Sequence, residues 1–567
     1  MNATTLQKSL AFIALAAVAA CSGPNAASTI PAAASATQTA RRPGVERPHV
    51  PHLWQTFVGV GDSLTAGYQS NGYLGQSDFK DPLVHGVIVP PTQENGWWTL
   101  VDEQISGKPL AQAIADEFDP KVSPLPLIAA PGLNNQLVPQ APLFNNLKPN
   151  DACKDYDGFN AKGYLLSGNP VTRMNPSSTT LRDMGVPGIT AHEVNVMSEP
   201  QTNTCEPLPG IPGLLSAVTQ DESSDFWPVL GNFAGMGYNL SEVRAAASRH
   251  PTLATVWIGA NDVLKFMGSG GRFVGGDRTV GQISQDVHQA VQTLQYAGAK
   301  VVVFDLPNVL EVPYFQRTDN PANPAKDCNE PGSALTSKTY VLCTMLLTGA
   351  IPPTTAPKLV DQIAAMYHLQ TTNCVPASTT HPCGYLTLQG TLETLDFYEA
   401  TTKLADLDCE GTDFTPPCVA GSGLGTYYIT PPFASQIQAL NNVINQGIDS
   451  TARNMGVALV PIAKIFDGLA SGDKSNPYFE TAATIGPSDF CCTIAWGGGL
   501  LSNDSIHPSN TGYALIAYFA IQTMNARYHA GIPEVNYKDV YDGKHRCSVP
   551  NYCYPDPYAP PYSFTPH

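Results

Sequence analysis

The sequence predicts an α/β protein built on a parallel sheet, and three observations carry that expectation. Short apolar runs at 54–61, 253–258, 301–306 and 457–461, several rich in valine, read as buried strands. Segments with helical periodicity at 240–249, 280–297, 432–455 and 511–527 stand among them. The two kinds alternate along the chain, which is the pattern of a parallel sheet covered by helices.

Taken in order, the first strand ends in Gly59 and Gly61, and Asp62 and Ser63 follow where a helix can begin, so Ser63 is expected to cap a strand-to-helix turn. The helical start at 64–69 breaks into a loop rich in Gly, Pro and Asp over 71–95. An amphipathic helix is expected at 96–105, with Trp97 and Trp98 able to stack on a ligand but, as aromatic residues at a helix start, expected more in the core. Residues 120–180 are mostly loop; 181–194 reads as a strand or turn ending in Gly185 and Gly188, then a capped helix; 197–237 is irregular. The glycine-rich stretch 268–276 follows the end of the 253–258 strand and is placed at its rim. Residues 321–430 form a cysteine-containing insertion with helical character at 358–369, and 531–567 is a tail rich in Pro and Tyr expected to pack on the body. One domain over 53–530, interrupted at about 71–95, 120–180, 197–237 and 321–430, accounts for this pattern.

Composition narrows the function classes. The apolar fraction of 43% supports a sizeable core, while 48 glycines and 50 prolines imply many turns and long ordered loops. A formal charge of -17 without a basic run speaks against nucleic acid as a partner. Near the N-terminus, one lysine precedes the apolar run 10–20, which has the length of a signal-peptide core and is short for a bilayer span. With an export signal, the 13 cysteines less Cys21 form an even set, suited to disulfides. Local pairing would join Cys153 with Cys205, Cys328 with Cys343, Cys374 with Cys383, Cys409 with Cys418, and Cys547 with Cys553. Cys491 and Cys492 would then form a vicinal bond or stay reduced. No His/Cys cluster has zinc spacing, so no structural metal and no cofactor are expected.

A serine at a strand end, beside a helix start whose backbone N–H groups favour negative charge, is well placed to be a nucleophile. It needs a base. The segment Leu501-Ser-Asn-Asp-Ser-Ile-His-Pro508 offers one: Asp504 and His507 can share a tight loop, the carboxylate orienting one imidazole nitrogen while the other faces Ser63. Pro508 then opens the last helix. The plainer roles are a helix cap for Ser63, turn formation for Asn261 and Asp262, and loop packing for His507. A dinucleotide fingerprint starting at Gly59 is poorly matched, its third glycine displaced to Gly67.

Gly61-Asp-Ser63, Gly188 in Gly-Val-Pro-Gly, Gly259-Ala-Asn-Asp262 and Asp504-Ser-Ile-His507 resemble the four ordered blocks of the GDSL or SGNH hydrolases. That resemblance implies a flavodoxin-like α/β/α sandwich and metal-free ester hydrolysis. By it, Ser63 is the nucleophile, His507 the general base and then acid, and Asp504 its orienting partner. Ser63 N–H, Gly188 N–H and the Asn261 amide form the oxyanion hole, with Gly235 and Gly237 as competitors for the Gly188 role. Val18-Ala-Ala-Cys21 resembles the lipobox of bacterial lipoproteins, which implies cleavage after residue 20, acylation of Cys21 and a tether over 21–52 that holds the protein to a membrane. An ordinary secretory signal cut nearby is the other reading. The expected substrate is an ester, of a lipid or an acylated small molecule or saccharide. Deacetylation of a polysaccharide and a non-catalytic surface binding protein are the alternatives.

Overall fold

The computed structural model describes residues 56–69, 92–128, 179–196, 240–268, 279–317, 431–470, 475–486 and 506–549, with short stretches and single positions between and beyond them. The expected signal segment, Cys21, the tether, the 358–369 helix, most of 321–430 and of 268–276, and every cysteine except Cys547 lie outside the described residues; Cys547 is disulfide-bonded.

Four strands, β1 (Phe57–Gly61), β2 (Leu253–Trp257), β3 (Lys300–Phe304) and β4 (Ala458–Val460), form one parallel sheet in the order β1-β2-β3-β4. Apart from Lys300 and Leu459 their residues are buried, as the unbroken apolar runs require of strands covered on both faces. Register sets Gly61 beside Trp257 and Phe304 beside Val460, so the strands finish close to one level. On the other side of β1, Asp183 bridges Gly59 in parallel, and Val186 N–H donates to Gly61 O (2.9 Å). The strand or turn expected at 181–194 therefore runs along the outer edge of β1.

The helices follow the chain: α1 (Ser63–Ala66), α2 (Trp97–Ser106), α3 (Leu110–Phe118), α4 (Glu193–Val196), α5 (Glu242–Ala247), α6 (Ala260–Gly268), α7 (Val280–Tyr296), α8 (Pro431–Met455), α9 (Ile462–Ala470), α10 (Pro477–Ala483), α11 (Asn510–Tyr528) and α12 (Tyr537–Tyr541). They flank the sheet in two groups. α2 packs on α11, while α7 packs on α5 and α8. Among the described residues no helix is long and apolar enough to cross a membrane.

Two expectations change. The helix after Gly96 is not amphipathic: Trp97 to Glu103 are all buried, because α2 lies beneath α11 on one side and meets β1 on the other. The two tryptophans do join the core. Trp98 stacks on Phe57 (centroids 4.9 Å apart), and Trp97 packs at 4.7 Å from Phe304 and 5.9 Å from Trp257. Helices α3, α6, α9, α10 and α12 are not among the expected elements, although Asn476-Pro477 is a recognisable start: Asn476 caps Tyr478 N–H and Pro477 occupies the first turn.

The tail packs on the body as expected. Asn525 near the end of α11 exchanges two 2.8 Å hydrogen bonds with Ile532, and α12 lies against α11. Arg546, 2% exposed, is then buried among Glu94 and Glu103, with Glu117 at 3.5 Å, while His545 Nε2 meets Glu103 at 2.9 Å. Burial, together with the charges of Glu103 and Asp102, pushes the Glu117 carboxyl well above its usual range. For His545, burial opposes the charged form, but its hydrogen bond to Glu103 and that carboxylate's charge outweigh this and raise its pKa.

Replacing Trp97 by alanine removes a fully buried ring that touches two strands, so we expect a loss of about 3–5 kcal/mol. Urea unfolding monitored by far-UV circular dichroism measures it; a loss below about 1 kcal/mol would show that the site collapses without cost.

Candidate active site

β1 delivers Ser63 through a turn that is short because its neighbours leave no room. A Cβ on Gly61 would lie 2.0 Å from Thr65 Oγ1 and 2.9 Å from Trp257 O. One turn of helix follows, closed by Gly67 in the left-handed region (φ 76°). Asp62, rather than Ser63, is the cap: its carboxylate accepts the Leu64 N–H (3.0 Å), and its backbone carbonyl accepts from Thr65 and Ala66. Both residue types cap well, but capping by Asp62 leaves the Ser63 side chain free for another partner.

That partner is His507. Its Nε2 lies 2.8 Å from Ser63 Oγ, and both residues are only partly buried, hence within reach of a ligand. Leu501 and Pro508 form an antiparallel bridge, and Ser502 N–H donates to His507 O (2.8 Å), which fixes the backbone on either side of the imidazole. The Tyr68 ring stands 4.7 Å from the imidazole, tilted by 50°. Two further links bind the histidine's helix to the serine's turn, neither apparent from sequence spacing. Gln69 Nε2 donates to Asn510 Oδ1 (2.8 Å), and Tyr513 Oη donates to Tyr68 O (2.7 Å). Asp504 lies outside the described residues, as do Gly235 and Gly237.

Asn261 and Gly188 come together at the same edge of the sheet. Asn261 sits in the first turn of α6, just past the end of β2, and its Nδ2 donates to Ile189 O (3.0 Å), the carbonyl next along from Gly188. Gly188 itself has φ 79°, a conformation that favours glycine, and it follows the segment bonded to Gly61 through Val186. Asp262 accepts the Ala191 N–H (2.9 Å), which secures the loop beyond Gly188. Among the described residues, no acceptor takes the N–H of Ser63 or of Gly188.

The ground beneath this edge is acidic and buried. Glu242 accepts the Gly61 N–H (2.6 Å) and Asp183 accepts the Gly185 N–H (3.0 Å). Burial raises Asp62 to about 6 against the pull of Leu64 N–H and the charge of His507, raises Asp183 to about 8, and raises Asp262 to about 7. Burial also lifts Glu242 well above its usual range, aided by the charges of Asp62 and Asp183. Sequence inspection had no signal for Glu242 or Asp183, because their partners are backbone N–H groups brought close only by the fold.

Chemically, the arrangement offers a hydroxyl in contact with an imidazole, and two backbone N–H groups, of Ser63 and Gly188, that meet no acceptor among the described residues. Among the described residues no group of three or more His, Cys, Asp or Glu side chains is disposed to hold a metal ion. The chain matches no protein-family model, no curated protein and no solved structure.

The buried carboxyls bind protons more tightly in the fold than in the unfolded chain. Their contribution to stability is therefore complete below about pH 4 and declines as pH rises through about 6 to 8. Asp183→Asn keeps an oxygen to accept Gly185 N–H and removes the titration. We expect it to gain a few kcal/mol over the native protein at pH 8 and almost nothing at pH 4. Urea melts at both pH values decide this, and an equal effect at the two would contradict it.

Proposed function

We propose that the protein is a serine carboxylic ester hydrolase with the flavodoxin-like α/β/α architecture of the GDSL or SGNH hydrolases. The reading rests on one observation above all, the 2.8 Å contact between Ser63 Oγ and His507 Nε2. A hydroxyl is a weak nucleophile unless a base takes its proton as it attacks, and this contact supplies the base. Strand order adds support. With the Asp183 segment counted as the outermost strand, the chain runs outward from β1 in one direction and then through β2, β3 and β4 in the other. In open α/β sheets the ligand crevice lies where strand order reverses, at the carboxyl ends, and Ser63 and Asn261 follow the two strands that flank the reversal.

In this mechanism the Ser63 hydroxyl gives its proton to His507 Nε2 as Oγ bonds to the ester carbonyl carbon. The carbonyl oxygen becomes an oxyanion that accepts hydrogen bonds from Ser63 N–H, Gly188 N–H and the Asn261 amide. Collapse breaks the bond to the alcohol oxygen, which leaves with the proton from His507. Water then gives a proton to His507 as its oxygen bonds to the acyl carbon; collapse breaks the bond to Ser63 Oγ, which takes that proton back from His507, and the acid is released. Asp504 orients His507. Export with acylation of Cys21 and anchorage to a bacterial envelope membrane belong to the same proposal, supported by the residues Val18-Ala-Ala-Cys21.

Two variants test the chemistry. The native protein should release nitrophenol from a short-chain nitrophenyl ester with a stoichiometric burst, and a folded Ser63→Ala variant should lose both burst and turnover. Turnover unchanged in Ser63→Ala would sink the mechanism, and no turnover on any of acetyl, butyryl, long-acyl or acetylated-sugar esters would favour a binding protein. Asn261→Ala should lower kcat by about 100- to 1000-fold with little change in KM, because its amide meets charge that exists only in the transition state. A matching rise in KM instead would make Asn261 a substrate-binding residue.

A further inference from the structure

The residues that hold His507 in place do not all belong to the α/β body. Helix α11 begins three positions after the histidine, and its first turn presents backbone N–H groups that the helix itself cannot satisfy. Ser509 takes one of them: its Oγ accepts the Gly512 N–H (3.1 Å) while donating to Gly499 O (2.5 Å). The Thr511 N–H is satisfied from elsewhere. Asp556 Oδ2, 45 positions further along in the tail, accepts it at 2.7 Å and also accepts from Thr511 Oγ1 at 2.5 Å. Asp556 is 0% exposed, and its own N–H donates to Tyr541 O in α12 (3.2 Å).

The path of the tail explains why it can do this. It leaves the C-terminal end of α11 at the Asn525–Ile532 contact, packs α12 against that helix, sinks Arg546 into the carboxylates beside α2, and returns Asp556 to the helix's N-terminal turn. A helix of 19 residues is about 28 Å long, so the tail secures both ends of a rod whose N-terminal end carries the histidine loop. At that end three contacts converge. Gln69 with Asn510 and Tyr68 with Tyr513 tie the rod to the serine's turn, and Asp556 with Thr511 fixes the turn between Asn510 and Tyr513 from the other side.

We propose that Asp556 is a positioning residue for the Ser63–His507 pair, and that the C-terminal segment acts as a strap that holds the base at hydrogen-bond distance from the nucleophile. The catalytic meaning of this rests on the ester hydrolase reading, but the geometry does not. Asp556→Ala removes both hydrogen bonds to Thr511, whereas Asp556→Asn keeps an oxygen for the Thr511 N–H.

The test uses the full-length protein and two independent readouts. In a crystal structure of Asp556→Ala we expect the Ser63 Oγ to His507 Nε2 separation to exceed 3.5 Å, with Asp556→Asn closer to the native value. In nitrophenyl ester hydrolysis we expect Asp556→Ala to lower kcat at least tenfold with KM little changed, and Asp556→Asn to recover a large part of it. An Asp556→Ala protein that melts at a lower temperature yet keeps the native separation and kcat would overturn the proposal and make the contact merely structural. If Asp556→Ala does not fold, Thr511→Val, which removes only the hydroxyl contact, provides the same comparison at smaller amplitude; native kcat and separation there would count against it. If the native protein hydrolyses no ester but the imidazole still moves in Asp556→Ala, the hydrolase reading fails and the positioning role stands.

Discussion

A serine hydroxyl can meet an imidazole 444 positions further along the chain only if the elements that carry them are fixed against one another to within a few tenths of an ångström. Everything near the end of β1 is consistent with that requirement. Trp98 covers Gly59 so closely that a Cβ there would lie 2.4 Å from the indole, and a Cβ on Gly185 would lie 2.4 Å from Ala66 N. The turn is thus closed in by the indole layer of α2 and by the segment along the sheet edge. Helix α11 lies on α2 and points its first residues at the same place. Close packing transmits position because dense interiors deform little.

A second pattern concerns charge. The sheet edge that bears Ser63 stands on carboxyl groups that accept backbone N–H bonds and are kept from water: Asp62, Asp183, Glu242 and Asp262. Ionised together they would repel one another in a medium that screens poorly, so burial favours their protonated forms. Around Arg546 the problem is met in both ways: Glu94 and Glu103 share its guanidinium, while burial and the neighbouring charges push Glu117 toward its protonated form. The interior therefore tolerates its acidic residues by protonation under the candidate site and by a mixture of pairing and protonation under the tail.

How much of this was legible in the sequence depends on the range of the interaction involved. The strands were readable because a strand buried on both faces is a continuous apolar run, and α7 and α8 because each keeps a helical repeat over four turns or more; α11 keeps no apolar stripe, being buried without interruption from Asn510 to Ala517. Helices α9 and α10 were not, being two turns or so each in a stretch without a strong flanking pattern. Ser63 and His507 could be paired because the chemistry of one demands the other. Asp62 displaced Ser63 from the cap because two adjacent residues can both serve, and only the fold decides which side chain has something better to face. Arg546 and Glu103, 443 positions apart, and Asp556 and Thr511 have no local signature, since their pairing exists only once the tail has returned along α11.

The return of the tail also imposes an order on assembly. β1 pairs with β2 nearly two hundred positions away, but the helix that brings His507 and the aspartate that holds that helix are made last. At synthesis rates of about 5–20 residues per second, a ribosome spends on the order of tens of seconds between adding Ser63 and adding His507. Through that interval α2 has no α11 to cover it, and the face of α2 that α11 buries is left to solvent or to whatever binds nascent chains. Such long-range closure is slow for any chain. Here it means that the serine cannot meet its base until synthesis has passed His507, so a chain that ends before it carries the nucleophile without the partner that would arm it.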